Sequence, residues 1–239
     1  MKMIFGNLNQ YRGKPIGDYI IIQGIGEGRY GVCFLAEIDG ERVVLKRFKP
    51  HPFQRNSEKN FYETQILSQL CHPGIPKLLA VINERDFYGL VLEKKDGAPI
   101  ETMLFKQRHV FTGHEIFNIG RQLIEIIQYL HTQGIVHRDI RIPNVLIDGD
   151  TVSLVDFGLA RWEDDKRYTR DIDFSYLGDL LLYLLYSSYR KTKRKSRPWY
   201  EELSLTSQQQ LFLKRLLKLE KPFQEIDQVF DDFNSVFNQ

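Results

Sequence analysis

The sequence predicts an α+β fold in two lobes, with an antiparallel sheet and one main helix in the first lobe and mostly helices in the second. Two observations predict it: β-rich runs dominate the beginning of the chain, and helix-spaced apolar residues dominate the remainder. Of the 239 residues, 42% are hydrophobic and 13% aromatic, enough for one large or two modest cores. We expect a single domain over residues 1–239, with the first lobe at about 18–95 and the second at about 96–239.

Strands and one helix are predicted along the first lobe. Runs rich in β-branched and aromatic residues predict five strands, at 19–22, 32–36, 42–45, 77–83 and 88–93. Asp39-Gly40 predicts a hairpin turn between the second and third of them. Apolar residues at helical spacing predict a helix over 58–70, which His72-Pro73-Gly74 ends.

Helices dominate the predicted second lobe. Asp96-Gly97-Ala98-Pro99 has the composition of a connector between lobes. Beyond it, apolar periodicity predicts four helices, at 116–131, 173–186, 207–219 and 224–237. The second of these is apolar nearly all round, which indicates a buried helix.

Charge and cysteine content argue against several classes of protein. The formal net charge is +2, so bulk electrostatics does not indicate a polyanion binder. Cys33 and Cys71 form no C-x-x-C pair, which argues against a zinc site or a disulfide framework and fits a reducing compartment. Residues 1–10 show no secretory leader, and no apolar run reaches the roughly 20 residues of a membrane span. We therefore expect a cytoplasmic protein.

The segment 137–158 holds three groups that phosphoryl transfer needs. Asp139 can accept a hydroxyl proton, whereas Asn144 and Asp156 offer oxygen ligands for a divalent metal ion bound to phosphates. Either the His-Arg-Asp or the Asp-Phe-Gly triplet alone can occur by chance, but both in this order indicate phosphoryl transfer. His137 is expected to be structural and to pack inward.

A glycine-rich loop, Gly26-Glu27-Gly28-Arg29-Tyr30-Gly31, lies between the first two predicted strands. Without Cβ atoms, its backbone can approach a triphosphate and point amide groups at the phosphate oxygens. The same spacing opens dinucleotide-binding folds, but there it leads from a strand into a helix. Here it leads into another strand, which argues against a dinucleotide site.

Lys46 and Glu63 form a candidate ion pair at this nucleotide site. Lys46 ends the third predicted strand, and Glu63 lies in the helix that follows. An unpaired buried lysine tends to lose its charge, so a carboxylate partner would keep the ammonium group available for phosphates. Taken one at a time, each residue could equally be an exposed side chain.

Together these features resemble a protein kinase, of the minimal serine/threonine type found in bacteria. The resemblance runs from about Tyr19 to Leu185, and more loosely beyond. It rests on features in the family's order and approximate spacing, namely the glycine-rich loop, Lys46, Glu63, His137-Arg138-Asp139, Asn144, Asp156-Phe157-Gly158 and Asp173. It implies a protein-kinase-like fold with an abbreviated second lobe.

The resemblance implies a role for each motif. Asp139 would be the catalytic base, and Lys46, held by Glu63, the phosphate anchor. Asn144 and Asp156 would hold Mg²⁺, or Mn²⁺ in its place, and ATP would be the phosphate donor. The other nucleotide contacts would come from the glycine loop and the adenine-facing positions, namely Gly26, Gly28, Gly31, Cys33, Val44, Glu93, Lys95 and Leu146.

Two substitutions depart from the family pattern at the site itself. Cys33 replaces the usual valine and adds a thiol to the nucleotide pocket. Arg141, which we also place among the catalytic residues, stands where serine/threonine kinases usually carry lysine. It keeps positive charge near the γ-phosphate but offers a fork in place of a point charge. Some tyrosine kinases carry arginine here, so the choice between Ser/Thr and Tyr substrates stays open. By the same resemblance, Asp173 would brace the catalytic loop through backbone amides.

The segment 156–173 is short and lacks the Ala-Pro-Glu sequence that the family uses in peptide docking. In the family, the arginine equivalent to Arg138 often pairs with a phosphate on this segment, which Tyr168 or Thr169 could carry here. The acidic run 163–165 is an alternative source of negative charge. Between the two, we expect the acidic run to be the partner of Arg138.

Residues 190–197 read RKTKRKSR, where the family normally has a helix and its surrounding loops. A solvated basic loop and a docking patch for an acidic partner are equally compatible with this composition. The partner in the second case would be nucleic acid, an anionic membrane or an acidic protein.

The sequence therefore predicts an ATP- and Mg²⁺-dependent kinase that transfers the γ-phosphoryl group to Ser or Thr hydroxyls of proteins, including itself. A pseudokinase scaffold, which binds nucleotide without turnover, is one alternative. A small-molecule kinase is another, because it would not need the missing peptide-docking sequence. Nucleic-acid binding through the basic run could coexist with catalysis.

Overall fold

Two units divide the chain in its computed structural model. One unit contains the residues up to Cys71 together with Pro76–Lys95, and the other contains His72–Ile75 together with the residues from Asp96 onward. The structure describes residues 8–28, 31–49, 55–84, 87–164, 166–190 and 197–238, with backbone only at Asn9 and residues 55–61. The predicted single domain over both units stays a prediction.

A six-stranded antiparallel sheet and one helix form the first unit, with strand order β1-β2-β3-β4-β6-β5. The elements are β1 Pro15–Ile16, β2 Tyr19–Glu27, β3 Gly31–Ile38, β4 Glu41–Phe48, α1 Arg55–Gln69, β5 Leu78–Glu84 and β6 Phe87–Glu93. The predicted hairpin turn between β3 and β4 is confirmed, because Asp39 and Gly40 have φ angles of 51° and 83°. The resulting register places Cys33 directly opposite Lys46, on the same face of the sheet.

The core of the first unit lies on one face of its sheet. Alternate residues of the strands point inward and are buried, namely Ile21, Phe34, Ala36, Val43, Leu45, Ile82, Phe87 and Val91. A short 3-10 turn before β1 packs on this cluster, with the ring of Tyr11 edge-on to Phe34 at a centroid distance of 5.2 Å. This core supports β4, the strand that carries Lys46.

Helices are the main secondary structure of the second unit. Its elements are β7 Ala98–Pro99, α2 Ile100–Phe105, α3 Gly113–Thr132, β8 Ile135–Val136, β9 Val145–Asp148, β10 Thr151–Leu154, β11 Arg161–Trp162, α4 Asp171–Tyr186, α5 Trp199–Glu202, α6 Ser207–Leu216 and α7 Ile226–Phe237. Helix α3 begins with a capping box in which Thr112 and Glu115 satisfy each other's backbone amides. Its buried stripe packs mainly against α7.

Two small antiparallel pairs hold the loops that carry the predicted motifs. Strand β9 begins directly after Asn144, and its partner β10 ends two residues before Asp156. Strand β8 ends directly before His137 and pairs with β11, which follows the Asp-Phe-Gly triplet. Both strand pairs therefore anchor the two ends of the motif-bearing loops.

The predicted α+β fold class is confirmed. The structure has each predicted strand and helix, with shifted ends. Helix α6 stops at Leu216, before the predicted end, where Lys218 adopts a left-handed φ of 59° that terminates a helix. The sequence does not predict the short elements α2, α5, β1, β7, β8 and β11, because segments of two to six residues carry too little periodicity. Within the described residues, no helix combines the length and apolarity of a membrane span.

The close approach of α3 to α7 makes a first prediction. A Cβ atom at Gly120 would lie 2.2 Å from Cζ of Phe233, so we expect Gly120→Ala to lower the free energy of unfolding by about 1–3 kcal/mol. Gly113→Ala is the matched control, since a Cβ there meets no described atom within 4 Å. Urea unfolding followed by tryptophan fluorescence measures both, because Trp162 and Trp199 lie in the second unit. Equal stability of the two variants would contradict this packing.

Candidate active site

A buried ion pair joins the sheet and the helix of the first unit. Nζ of Lys46 donates to Oε1 of Glu63 at 2.6 Å, and the two side chains are 7% and 3% exposed. Lys46 is held in the sheet by its position opposite Cys33 and Leu90. Glu63 comes from the middle of α1. The pair keeps a charged ammonium group at the end of β4, as a phosphate anchor needs.

The glycines of the loop between β2 and β3 differ in what surrounds them. A Cβ at Gly31 would lie 2.7 Å from the carbonyl oxygen of Arg47, so the neighbouring strand itself requires this glycine. A Cβ at Gly26 would meet no described atom within 4 Å, and one at Gly28 would meet only the oxygen of Gly31 at 4.0 Å. Packing of the described chain therefore does not explain Gly26 and Gly28, whereas the approach of a phosphate would. Arg29 and Tyr30 lie outside the described residues.

The residues predicted to meet adenine lie on four strands and the connector. Cys33 and Val44 are half-buried in the first unit, and Leu146 is half-buried on β9 in the second. The carboxylate of Glu93 accepts hydrogen bonds from the backbone of Lys77 and from Nζ of Lys95, at 3.0 and 2.9 Å. Burial alone would raise the pKa of Glu93, but these bonds outweigh it and lower the pKa. The side chains of Glu93 and Lys95 thus pair with each other.

Asp139 lies at the centre of a hydrogen-bonded cluster in the second unit and is 6% exposed. Arg141 forms a fork on its carboxylate, with Nε 2.5 Å from Oδ1 and Nη2 3.0 Å from Oδ2. Nδ2 of Asn144 donates to Oδ2 at 2.7 Å and to the backbone oxygen of Asp139 at 2.9 Å. The bonds to Asp139 raise the pKa of Arg141, so its guanidinium stays charged. The carboxylate is therefore fixed in orientation before any substrate arrives.

The donor set around Asn144 and Asp156 fits a magnesium ion. Because the amide nitrogen of Asn144 is engaged by Asp139, its amide oxygen is the atom left for a metal. The side chain of Asp156 is exposed, and its Oδ1 accepts a long bond of 3.3 Å from the amide of Gly158. Among the described residues, no three or more His, Cys, Asp or Glu side chains are grouped so that they could hold a metal ion. Two oxygen ligands suit Mg²⁺, which takes its other ligands from water and phosphate.

Asp173, at the beginning of α4, holds the backbone that precedes Asp139. Its carboxylate is fully buried and accepts the amide of His137 on Oδ2 at 2.9 Å and the amide of Arg138 on Oδ1 at 2.7 Å. Nε2 of His131 lies 3.1 Å from Oδ2. His137 itself is buried, with its ring edge-on to Phe157 at 4.6 Å. The catalytic loop and the Asp-Phe-Gly triplet are thus packed together.

The expected pairing of Arg138 with the acidic run is wrong for its two described members. Glu163 instead accepts a bond of 2.9 Å from Arg170. Asp164 accepts hydrogen bonds from the backbone amides of Arg167, of Tyr168 at 2.9 Å and of Lys166 at 3.1 Å. These bonds lower the pKa of the Asp164 carboxyl group. Both carboxylates are therefore engaged by hydrogen-bond donors of their own segment. Asp165 lies outside the described residues.

Arg138 has other partners in the described structure. Its Nη1 donates to the carbonyl oxygen of Leu159 at 3.1 Å, and its Cζ lies 4.4 Å from the centroid of the Tyr168 ring. The sequence singled out Tyr168 only as a residue that could be phosphorylated. A contact between a guanidinium and an aromatic face 30 residues along the chain leaves no periodic signal, so sequence reasoning missed it.

The basic run at 190–197 lies mostly outside the described residues. Residues 191–196 lie outside the described residues, and Arg197, at its end, donates its backbone amide to Glu202 at 2.9 Å. Of the predicted site residues, the structure brings Lys46 and Glu63 together in one unit. In the other it brings together Asp139, Arg141 and Asn144.

Comparison with known proteins agrees with this arrangement. The family model of the protein kinase domain matches residues 19–219. The match begins at the first residue of β2 and ends just beyond α6, so it includes every predicted site residue.

Similar proteins occur in bacteria and eukaryotes. The probable serine/threonine-protein kinase YbdM of Bacillus subtilis is 36% identical over 229 residues, which cover 91% of this chain and 88% of that protein. A probable KIN1 kinase homologue of Enterocytozoon bieneusi is 32% identical over 66% of this chain, and the CTD kinase subunit alpha of Schizosaccharomyces pombe is 33% identical over 64%. The aligned parts span only 27% and 26% of those two longer proteins.

The buried ion pair makes a second prediction. Glu63→Gln removes the counter-charge of buried Lys46, so we expect it to cost about 3–5 kcal/mol of stability and to lower the unfolding temperature clearly. Glu125→Gln is the matched control, because Glu125 pairs with Arg121, four residues earlier on the half-exposed surface of α3, where such pairs contribute about 0.3–0.5 kcal/mol. Thermal unfolding followed by circular dichroism compares them, and a similar small shift for both variants would contradict the prediction.

Proposed function

Because this chain belongs to the protein kinase family, we propose that it transfers the γ-phosphoryl group of ATP to Ser or Thr side chains of proteins, itself included. The match over residues 19–219 supports the kinase assignment. The Bacillus relative, similar over most of both chains, is named a probable serine/threonine-protein kinase, which supports the residue class. The observation that carries the proposal is the buried carboxylate of Asp139, oriented by Arg141 and Asn144.

Asp139 is the proposed base of the reaction. As the hydroxyl oxygen of the substrate forms its bond to the γ-phosphorus, the bond from that phosphorus to the β–γ bridging oxygen breaks and ADP leaves. The proton of the hydroxyl group passes to the Asp139 carboxylate. Asn144 and Arg141 hold that carboxylate with hydrogen bonds, so little reorientation is needed during transfer.

Neutralisation of the negative charge on the phosphates is the second requirement of the reaction. Lys46 offers an ammonium group kept charged by Glu63, and the glycine loop offers backbone amides. Asn144 and Asp156 would hold Mg²⁺, or Mn²⁺ with the same preference for oxygen ligands, and the bound ion would supply positive charge next to the phosphates. The donor atoms of both residues are carboxylate or amide oxygens, as that role requires.

Arg141 combines two tasks in the proposal. Its side chain is 55% exposed although its guanidinium forms a fork on Asp139, so part of its positive charge faces solvent. That part is available to the γ-phosphate, the role that lysine has in most serine/threonine kinases. The guanidinium also remains an anchor for Asp139, which a lysine could hold only through one nitrogen.

No described feature favours either alternative function. A pseudokinase generally lacks a phosphate anchor, a base or a metal ligand, and this chain retains Lys46, Asp139, Asn144 and Asp156. A small-molecule kinase remains compatible with the short segment 156–173, but the comparisons match protein kinases. The proposal also includes a cytoplasmic location. An acidic partner of residues 190–197 stays a prediction, since most of that run lies outside the described residues.

The third prediction concerns phosphoryl transfer from ATP to a protein. Incubated with Mg²⁺, labelled ATP and a generic basic protein, the wild-type chain should transfer phosphate, and Asp139→Asn should reduce the rate at least about 10²-fold, as expected for loss of a base. Asp148→Asn is the matched control, since Asp148 is an exposed carboxylate at the end of β9.

Phosphosite mapping by mass spectrometry, before and after ATP, reports which hydroxyl groups accept phosphate. Ser or Thr acceptors are expected. Absence of transfer by the wild type, or undiminished transfer by Asp139→Asn, would contradict the proposal. Nucleotide binding by calorimetry in a chain that transfers nothing would establish the pseudokinase instead.

A further inference from the structure

We propose that Tyr168 is a positioning residue for Asp139. Its aromatic ring holds the side chain of Arg138, a task that a phosphate group on the segment 156–173 has in many kinases. The inference rests on the proposed function, because it concerns the readiness of the same catalytic loop. It adds a residue that no motif contains. It also implies that this kinase works without phosphate on the segment 156–173.

The contact between Arg138 and Tyr168 is the first observation. The guanidinium carbon lies 4.4 Å from the ring centroid, within the range of a favourable cation–π contact, and both side chains are half-buried. The remaining described bond of the guanidinium goes to the carbonyl oxygen of Leu159. Arg138 forms no ion pair with a carboxylate of the described residues. Its charge is thus balanced by an aromatic face and a carbonyl dipole.

The position of Arg138 in the catalytic loop gives this contact its consequence. Arg138 directly precedes Asp139 and has a φ of 67°, a left-handed conformation that is strained for a residue with a Cβ atom. Such a conformation persists only where its surroundings hold it. The backbone is held by Asp173, through the amide of Arg138, and the side chain by Leu159 and Tyr168. Release of the side chain would loosen the backbone next to Asp139.

Tyr168 is itself held by a turn that needs no phosphate. Oδ1 of Asp164 accepts the amides of Lys166, Arg167 and Tyr168, and a backbone bridge joins Asp164 and Tyr168. The ring is therefore presented by backbone geometry and an ionised carboxylate that is already part of the chain.

Three ion pairs hold the segment directly after Tyr168. Arg170 pairs with Glu163 and with Glu225, each at 2.9 Å, and Asp171 pairs with Lys218. Each partner comes from the chain itself. Burial alone would raise the pKa of Asp171, but hydrogen bonds from Lys218 and from the side chain of Thr169 outweigh it and lower the pKa. The hydroxyl group of Thr169, which the sequence indicates as a possible phosphate carrier, thus takes part in the same set of contacts.

The test compares three full-length variants, each treated with phosphatase and checked by intact mass. Tyr168→Leu removes the aromatic face but keeps an apolar side chain, and we expect kcat to fall about tenfold with KM for ATP unchanged. Tyr168→Phe keeps the face and should retain at least half of the wild-type kcat. Tyr183→Leu, at an exposed tyrosine on α4, controls for the loss of a surface aromatic residue and should leave kcat unchanged.

Three outcomes would overturn the inference. The first is a kcat of Tyr168→Leu equal to that of the wild type, and the second is an equal loss in Tyr168→Phe. The third is a dephosphorylated wild type that transfers only after a lag in which it gains phosphate. A general loss of structure is recognised by a lowered unfolding temperature, in which case Tyr168→Met replaces Tyr168→Leu.

Hydrogen exchange separates this inference from the proposed function. We expect the amides of residues 137–139 to exchange faster in Tyr168→Leu than in Tyr168→Phe, whether or not the chain transfers phosphate. Unchanged exchange would overturn the positioning role. A wild-type chain that transfers no phosphate but shows the exchange difference would overturn the proposed function alone.

Discussion

The buried carboxylate of Asp173 is the constraint on which the rest of the catalytic loop depends. It is fully inaccessible to solvent, and both of its oxygens are used, by the amides of His137 and Arg138 and by the ring of His131. A buried charge of this kind is tolerated only when hydrogen bonds replace its lost hydration. Moving the loop away from α4 would leave this buried carboxylate without its hydrogen-bond donors, so the position of the loop depends on the helical core.

From this constraint the geometry of the site follows in steps along the chain. The bonded amide of Arg138 holds a left-handed residue, and the next residue is Asp139. Arg141 and Asn144, two and five residues further on, return to the carboxylate of Asp139 and fix its orientation. Each step is a hydrogen bond, so the orientation of Asp139, the proposed base, depends on a series of contacts that begins at one buried carboxylate.

The segment after the Asp-Phe-Gly triplet is stabilised in a different way. Its contacts are half-exposed ion pairs, such as Arg170 with Glu163 and Glu225, and each such pair contributes at most about 1 kcal/mol. Together with the turn at Asp164, they order a segment that is too short for the family's peptide-docking sequence. The loop that carries Asp139 is thus held by burial, whereas the segment after the Asp-Phe-Gly triplet is held by its own charges.

The sequence by itself determined the fold class, the main strands and helices, and the identity of the chemical groups. Those features are encoded locally, in apolar periodicity, in the Asp39-Gly40 turn and in motifs whose spacing the chemistry requires. Only the tertiary structure decided the partners of charged side chains. Arg138 contacts Tyr168 and neither Glu163 nor Asp164, because both of these carboxylates are already engaged within their own segment. A sequence shows which charges are available, but three-dimensional proximity and competition among them determine which pairs form.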